Sequence, residues 1–233
     1  MGHFVYLRIL YARFAPRNTV RGTPLMVFSK LAYSKPRTMP DQQSTLFAVI
    51  LAAGRSSRFG ATKQTVELEE VPLVQRAAET AAAVCGERVI TIIGHDRENV
   101  LDAMNSQSGF VLVNEDYEDG LGTSIAAAAR VCRRCSDAML LLLADQPLVT
   151  AEHLENLIAA WSGSSNEIVS TTYDGTRGPP VLFPRNTFEA LCRLSGDRGA
   201  RAVLRDPRYE LKTVRFEPAA IDIDTPDDLA LLT

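Results

Sequence analysis

From residue 46 onward, short apolar runs alternate with segments in which apolar residues recur at helical spacing. Runs with the length and composition of buried strands are Leu46 to Leu51, Arg88 to Ile93, Phe110 to Val113 and Ala138 to Ala144. Segments with helical periodicity are Val71 to Val84, His95 to Met104, Thr123 to Arg134 and Thr150 to Trp161. The alternation predicts βαβ units, and therefore an α/β fold with a mainly parallel central sheet and helices on both faces.

The second half of the chain is less regular. Ile168 to Thr172, Val181 to Phe183 and Leu211 to Phe216 are predicted as strands, and Asn186 to Leu194 and Ala200 to Leu204 as helices. Near the end, Thr225-Pro226-Asp227-Asp228 predicts a helix start, because it offers a Thr cap, a Pro in the first turn and acids at the positive end of the helix.

Charge is unevenly distributed along the 233 residues, a length that suits one domain with a tail. Residues 1–40 hold seven of the 25 Lys and Arg and no Asp or Glu, so the remaining 18 basic residues face all 28 acidic ones. An acidic body argues against nucleic-acid binding. No apolar run reaches the roughly 18 residues of a membrane span.

The basic N-terminal segment, residues 1–44, is set apart from the predicted domain, residues 45–233. A disordered tail, an upstream extension of the reading frame and a transit peptide are all compatible with its composition. The first two are favoured because its arginines do not fall on a clean amphipathic helix.

Cysteines and histidines form no recognisable metal pattern. Cys132 and Cys135 make a C-x-x-C, but no second pair follows at zinc spacing, so ordinary helical thiols are predicted. His95 and His153 lie at predicted helix starts and are expected at the surface.

The stretch LAAGRSSRFGATKQ, Leu51 to Gln64, follows the first strand and is rich in small and basic residues. A loop at a strand end can direct backbone N–H groups at a phosphate, with Gly54 and Gly60 allowing close approach and Arg58 and Lys63 supplying charge. Neither Gly-Lys-Ser/Thr nor Gly-x-Gly-x-x-Gly is present. Taken alone, an ordinary turn with solvated charges stays equally open.

Carboxylates follow two predicted strands. Asp145 comes directly after MLLLLA, and Asp224 lies in IDIDTPDD. If the two converge they can hold Mg²⁺, which also binds phosphate oxygens. Asp222 alternates with Asp224 and is the reserve candidate. Capping of a turn and of the last helix are the open alternatives for Asp145 and Asp224.

Three other segments have loop character. NEDYEDGLGTSI, Asn114 to Ile125, leads into a helix and offers Ser124 and backbone N–H groups to a ribose or base. Gly178 to Pro180 and GDRGAR, Gly196 to Arg201, offer a second pocket in which Arg201 could meet an anion. A helix cap and a surface arginine remain the alternatives for these residues.

Taken together, these motifs resemble a known family. LAAGRSSRFGATKQ is similar to the LAAGxSxRxGxxK signature of the MobA-like nucleotidyltransferases that act on the molybdenum cofactor. ADQPLVT, GLGTSI, GDRGAR and DIDTPDDL resemble further segments of that family in the same order, so the likeness runs from about Phe47 to Leu232. LAAGxSxR alone is shared with sugar-nucleotide pyrophosphorylases, whereas the complete set is narrower and most resembles the cytidylyltransferase branch.

The resemblance implies a Rossmann-like, GT-A-like three-layer fold and specific site residues. By that likeness Arg58 and Lys63 contact the triphosphate and, with Asp145, act in catalysis, while Asp145 and Asp224 bind Mg²⁺. Nucleotide-binding residues are expected at Leu51, Ala52, Ala53, Gly54, Arg55, Lys63 and Ser124, and acceptor-binding residues at Gly178, Asp197 and Arg201. One departure concerns the acceptor: related sequences often place His between Gly and Pro, where this chain has Gly178-Pro179-Pro180.

The activity implied is transfer of CMP from CTP to molybdopterin, with release of pyrophosphate, in the cytoplasm. A molybdenum hydroxylase or its accessory chaperone is the expected protein partner, with no nucleic acid and no membrane. A GTP-dependent guanylyltransferase, a sugar-phosphate nucleotidyltransferase and a non-catalytic cofactor carrier remain the alternatives. The carrier is disfavoured because it would not need two metal ligands.

Overall fold

The computed structural model describes residues 8–12, 44–56, 59–104, 109–230 and 232. The strands there are β1 (Arg8–Ala12), β2 (Leu46–Ala52), β3 (Glu67–Leu68), β4 (Val71–Pro72), β5 (Val89–Ile93), β6 (Phe110–Asn114), β7 (Ala138–Leu143), β8 (Glu167–Tyr173), β9 (Thr176–Pro184) and β10 (Glu210–Arg215). The α-helices are α1 (Leu73–Cys85), α2 (Arg97–Asp102), α3 (Leu121–Cys135), α4 (Ala151–Ala160), α5 (Phe188–Leu191), α6 (Arg201–Leu204) and α7 (Pro226–Ala230). None of these helices has the length and apolar composition that a membrane crossing requires.

Eight strands form one sheet in the order β1-β6-β5-β2-β7-β9-β8-β10. Strands β1, β6, β5, β2 and β7 run parallel, whereas β9 is antiparallel to both of its neighbours, β7 and β8. The predicted α/β fold with a mainly parallel sheet is confirmed. Val181 to Phe183 was predicted as a strand, but its extension back to Thr176 and its antiparallel direction were not. The direction follows from the short Asp174-Gly175 connection, where both residues have positive φ, as in a type I′ hairpin turn.

Each face of the sheet has its own core. Along β2, Ala48 and Ile50 belong to a cluster with α1 and α4, while Val49 and Leu51 belong to a cluster with α3 and α5. Side chains of a strand alternate between faces, so a strand covered by helices on both sides is apolar throughout. Complete burial of a side chain such as Ile50 stabilises the fold by about 2 kcal/mol relative to exposure.

The helix predicted from Val71 begins two residues later. Val71–Pro72 pairs with Glu67–Leu68 as a small antiparallel hairpin. Its turn residues Glu69 and Glu70 both have positive φ. The apolar residues at the start of the pattern therefore belong to a strand, and the helical register starts at Leu73.

The N-terminal segment contributes one strand that the sequence analysis did not predict. Arg8–Ala12 pairs in parallel with Phe110–Asn114 at the edge of the sheet. An outer parallel strand leaves backbone groups unpaired on one side, and a short apolar segment such as RILYA can satisfy them. The exclusion of this stretch from the fold was wrong for these five residues. The rest of residues 1–43 lies outside the described part of the chain, and the domain division at residue 45 stays a prediction.

His153 is buried rather than at the surface, which corrects the expectation from the sequence. The residue is 2% exposed, its Nε2 lies 2.8 Å from Thr171 Oγ1, and its ring stacks on Phe216 with centroids 4.1 Å apart. Thr171 Oγ1 in turn donates to the Pro180 carbonyl at 2.7 Å. Burial lowers the pKa of His153 to about 4, so the ring is a neutral part of the core.

Lowering the pH is expected to cost stability through His153. The unfolded imidazole protonates near 6.5 and the folded one near 4, so between these values the unfolded state binds more protons. The free energy of unfolding should therefore fall by about 3 kcal/mol as the pH drops across this window, and by no more from this residue below it. Urea denaturation of the wild type and of His153→Phe from pH 7 to pH 4 measures the difference. Equal pH slopes in the two proteins would contradict the assignment.

Candidate active site

The candidate site lies at the carboxyl ends of β2 and β7, at a topological switch point. From β2 the chain proceeds to β5 and β6 on one side, and then crosses to β7 on the other side. Ligands of open α/β sheets bind in the crevice outside the strand ends at such a point. The loop after β2 carries Lys63, and the turn after β7 carries Asp145.

Lys63 lies between two carboxylates that come from distant parts of the sequence. Its Nζ is 2.5 Å from Asp145 Oδ2 and 3.0 Å from Asp224 Oδ1. Burial opposes the charge on this side chain, which is 14% exposed, but the two carboxylates more than offset burial and raise the pKa of Lys63. The structure thus brings together three of the residues that the sequence analysis singled out, with a fixed positive charge at their centre.

The oxygen atoms around Lys63 also suit a divalent cation. Asp145 Oδ1 is buried and has no hydrogen-bond partner among the described residues. A buried acceptor without a partner costs stability unless a ligand satisfies it. In the described part of the chain no three His, Cys, Asp or Glu side chains are placed to hold a metal together. Two carboxylates completed by water and phosphate oxygens are a usual arrangement for Mg²⁺.

Asp222, the reserve carboxylate, lies near the same cluster. Desolvation, reinforced by the negative charge of Asp145, raises the pKa of Asp222 to about 6, and hydrogen bonding to Gln146 partly opposes this. Desolvation and the charge of Asp222 also raise the pKa of Tyr173, a residue that the sequence analysis did not select. The Tyr173 hydroxyl occupies space that only a glycine at position 178 leaves, since a Cβ there would lie 2.2 Å from it.

The segment that carries Asp224 is bonded directly to the turn after β7. The Ile223 amide donates to the Asp145 carbonyl at 2.9 Å, and Gln146 Nε2 donates to the Ala219 carbonyl at 2.8 Å. The Asp228 carboxylate accepts from the backbone amide of Asp224 at 3.0 Å. The second carboxylate is therefore held by backbone and side-chain bonds on both sides.

A buried glutamine shapes the loop after β2. Gln64, 4% exposed, donates from Nε2 to the Gly54 carbonyl at 3.1 Å and accepts from Ser56 Oγ at 3.2 Å. Ser56 Oγ also accepts from the Lys63 backbone amide at 3.2 Å. Ser56 has a φ of 53°, a left-handed conformation that these bonds maintain. The sequence analysis missed both residues, although KQ and RSS stand in the motif that it examined.

The roles predicted for the two arginines of this loop, Arg55 and Arg58, are addressed by the structure to different extents. Arg58 lies outside the described residues, so its predicted contact with the triphosphate stays a prediction. Arg55 is exposed, forms an ion pair with Glu118 and lies 5.9 Å from the centre of the Tyr117 ring. The Glu118 carboxylate raises the pKa of Arg55 by hydrogen bonding and charge. Arg55 therefore sits at the rim of the cleft with its charge already paired.

Leu51, Ala52 and Ala53 are buried at the end of β2, and their backbone is partly used. The Leu51 carbonyl accepts from the Ala144 amide, and the Ala53 carbonyl from the His95 amide, each at 3.2 Å. A Cβ on Gly94 would lie 3.0 Å from Ala53 Cβ and 2.7 Å from Tyr117 Cβ. The Ala53 methyl group therefore packs closely against Gly94, where the paired strands β2 and β5 end.

Ser124 is placed differently from the expectation. It is 3% exposed, and its Oγ accepts a hydrogen bond from Asn114 Nδ2 at 3.0 Å. Asn114 also donates to Thr123 Oγ1 at 2.9 Å. The first turn of α3 points Ser124 inward, and the bond from Asn114 joins this turn to the end of β6. The predicted contact of Ser124 with a nucleotide stays a prediction.

The segments GLGTSI, residues 120–125, and GDRGAR, residues 196–201, pack against each other. The Gly122 amide donates to the Gly196 carbonyl, and the Gly196 amide to the Asp119 carbonyl, both at 2.8 Å. A Cβ on Gly120 would lie 2.5 Å from Asp197 Oδ1. Asp197 thus lies against the glycine turn and is exposed, as is Arg201.

Gly178 is within strand β9 rather than in a loop, which corrects the loop interpretation of Gly178 to Pro180. The residue is buried, and its carbonyl accepts from Ser170 Oγ at 3.3 Å. The roles predicted for Gly178, Asp197 and Arg201 in acceptor binding stay predictions.

Comparison with known proteins agrees with this geometry. Residues 48–214 match the family of the MobA-like NTP transferase domain. The molybdenum cofactor cytidylyltransferase of Escherichia coli K12 is 27% identical over 79% of this chain and 94% of its own. The purine catabolism protein PucB of Bacillus subtilis 168 is 27% identical over 78% of this chain and 93% of its own.

Comparison with solved structures also identifies similar proteins. The crystal structure of Rv0371c from Mycobacterium tuberculosis H37Rv superimposes with a TM-score of 0.71, at 30% identity over 82% of this chain and 98% of that one. A manganese complex of Rv0371c gives a TM-score of 0.68, at 26% identity over 81% and 98% of the two chains. The chain therefore belongs to the MobA-like NTP transferase family and is a nucleotidyltransferase.

Proposed function

We propose that this nucleotidyltransferase transfers CMP from CTP to molybdopterin, giving molybdopterin cytosine dinucleotide and pyrophosphate. The observation that carries the proposal is the Lys63 ammonium held by Asp145 and Asp224 at the switch point of the sheet. We call Lys63, Asp145 and Asp224 together the cation clamp. Its position at the switch point suits the triphosphate of a nucleotide, accompanied by a divalent cation. The 27% identity to the E. coli molybdenum cofactor cytidylyltransferase supports the choice of donor and acceptor.

The transfer needs no covalent intermediate with the protein. An oxygen of the terminal phosphate of molybdopterin forms a bond to the α-phosphorus of CTP, and the bond from that phosphorus to the bridging oxygen of the β-phosphate breaks. The electron pair leaves with pyrophosphate. The protein contributes alignment of the two phosphates and neutralisation of charge, which dominate phosphoryl-type transfers.

Each residue of the clamp has a proposed part. Asp145 and Asp224 would hold Mg²⁺ or Mn²⁺, which when bound polarises phosphate oxygens as a Lewis acid. Lys63, with Arg58, would bind the departing pyrophosphate. Gly54 and Arg55 would contribute to nucleotide binding. Asp197, which lies beside the turn before α3, and Arg201 would bind the acceptor. A molybdenum hydroxylase or its chaperone in the cytoplasm would receive the product.

Incubation with each of the four NTPs, Mg²⁺ and molybdopterin, followed by identification of the product by mass spectrometry, tests the proposal. We expect molybdopterin cytosine dinucleotide and one pyrophosphate per product from CTP. A guanine dinucleotide as the main product would identify the GTP-dependent alternative. Binding of the cofactor without pyrophosphate release from any NTP would favour the carrier.

The donor base provides a further prediction. The Ala53 methyl group packs against Gly94 at the end of β2, and beside a bound base it would leave less space for a purine than for a pyrimidine. We expect CTP to be preferred, and Ala53→Gly to reduce the ratio of kcat/KM for CTP over GTP by roughly 10-fold, since one methyl group changes such ratios by about 10- to 200-fold. Other contacts with the base should prevent inversion. Steady-state kinetics with both nucleotides measure the ratio, and a wild type that prefers GTP would refute the donor assignment.

A further inference from the structure

The two carboxylates of the cation clamp belong to segments that are far apart in the sequence. Asp145 directly follows β7, whereas Asp224 precedes α7, the last helix. The separation of these carboxylates therefore depends on how the C-terminal segment is attached to the turn after β7. A divalent cation tolerates little variation in that separation, because its bonds to oxygen have fixed lengths.

Two hydrogen bonds to backbone carbonyls join these segments, in addition to the hydrogen bonding between Gln146 and Asp222. The first runs from the Ile223 amide to the Asp145 carbonyl, and the second from Gln146 Nε2 to the Ala219 carbonyl. The backbone bond fixes the C-terminal segment at Ile223, on one side of Asp222. The bond from Gln146 fixes it at Ala219, on the other side. Gln146 is 4% exposed and Ala219 is fully buried, so solvent does not compete for the bond.

The side-chain amide of Gln146 is used at one end only. Its Oε1 is buried and has no hydrogen-bond partner among the described residues, which is unfavourable. The amide nitrogen supplies what a methionine of similar size would lack, a bond to the Ala219 carbonyl and hydrogen bonding to Asp222. The amide has one property that methionine lacks, a donor, and one that lysine or arginine lacks, neutrality. It can anchor the C-terminal segment without adding a charge beside Asp145.

We propose that Gln146 is a positioning residue: by holding Ala219 it sets the separation of the Asp145 and Asp224 carboxylates and thereby the affinity of the site for a divalent cation bound with nucleotide. The inference depends on the cation clamp of the proposed function, but neither on the identity of the donor base nor on the acceptor. Asp145 and Asp224 contact the cation, and Gln146 acts only through them.

Titration of Mn²⁺, followed by electron paramagnetic resonance, tests this directly. The protein is mixed with the α,β-methylene analogue of CTP or, separately, of GTP, so that no transfer can occur. For Gln146→Met we expect the Kd for Mn²⁺ to rise at least about tenfold, in a folded protein whose melting temperature falls by only several degrees because the buried Ala219 carbonyl loses its donor. Gln75→Met is the matched control, because Gln75 is also 4% exposed but donates to Glu79 on its own helix. The control should leave the Kd for Mn²⁺ unchanged.

Several results would overturn the inference. One is a Gln146→Met protein that binds Mn²⁺ as tightly as the wild type, and another is a wild type that binds no Mn²⁺ with either analogue. If Gln146→Met does not fold, Gln146→Leu is measured instead and the same criteria apply, and unfolding of both would assign the residue a structural role. Failure of the proposed function looks different: the Mn²⁺ result would persist while CTP and molybdopterin give no dinucleotide.

Discussion

Replacement of Asp145 by Asn should reduce turnover at least a hundredfold while the protein remains folded. The amide keeps the shape of the side chain but removes the charge that Lys63 now neutralises and that a divalent cation requires. A hundredfold loss corresponds to about 2.7 kcal/mol of transition-state stabilisation, which is within the range of a lost metal ligand. Pyrophosphate release under saturating CTP and Mg²⁺, together with the circular dichroism spectrum, gives both quantities.

Asp102→Asn provides the matched control for this experiment. Asp102 ends α2, is exposed, and undergoes the same chemical change away from the switch point. Its activity should equal that of the wild type. Retention of more than about a tenth of the activity by folded Asp145→Asn, a loss below 1.4 kcal/mol, would mean that Asp145 is not a metal ligand.

Replacement of Lys63 by Ala should reduce kcat/KM for the nucleotide by roughly a hundredfold with little change in melting temperature. The ammonium is the fixed positive charge of the clamp, and it would stabilise the charge that develops on the leaving pyrophosphate. Lys63 lies in the segment after β2, and its side chain belongs to neither core cluster of the sheet. The melting temperature should be recorded with Mg²⁺ present, so that the two carboxylates remain neutralised.

Lys212→Ala is the matched control, because it removes a lysine that is also paired with a carboxylate but lies away from the candidate site. Lys212 Nζ lies 2.9 Å from Glu167 Oε2, on strands β10 and β8 at the edge of the sheet. Its replacement should leave the kinetics unchanged. A Lys63→Ala protein with normal kinetics and a much lower melting temperature would show that Lys63 is structural.

The parallel half of the fold could be predicted from the sequence because its strands are buried on both faces. Runs such as Ala138–Leu143 stand out as continuously apolar, and helices separate them. The first half of strand β9 was harder to predict, because Gly178-Pro179-Pro180 has the composition of a loop. The two prolines are tolerated because they lie where the pairing with β8 is irregular, so that no essential hydrogen-bond donor is lost. The Asp174-Gly175 dipeptide was the signal that would have revealed the hairpin.

The residues of the site could be selected from the sequence only in part. Charged residues at strand ends, such as Asp145, can be selected from the sequence because ligands bind at the carboxyl ends of parallel strands. Gln146, Gln64 and Tyr173 act through neighbours that are distant in the sequence, and no local pattern distinguishes them from ordinary polar residues. The inward direction of Ser124 could not be predicted, because helical phase within the first turn of α3 decides whether its side chain faces solvent or the core.

The Lys63 bridge has a consequence for the order in which ligands arrive. In the free protein the ammonium lies against both carboxylates and offsets one of their two charges, so a divalent cation that binds alone must displace the lysine and leave it without these partners. A nucleotide that binds alone must draw Lys63 away from two carboxylates that then repel each other. When cation and triphosphate enter together, the two carboxylates keep a positive partner and Lys63 exchanges their oxygens for those of the phosphates. Each ligand must then strengthen the binding of the other by the same factor, whichever is added first.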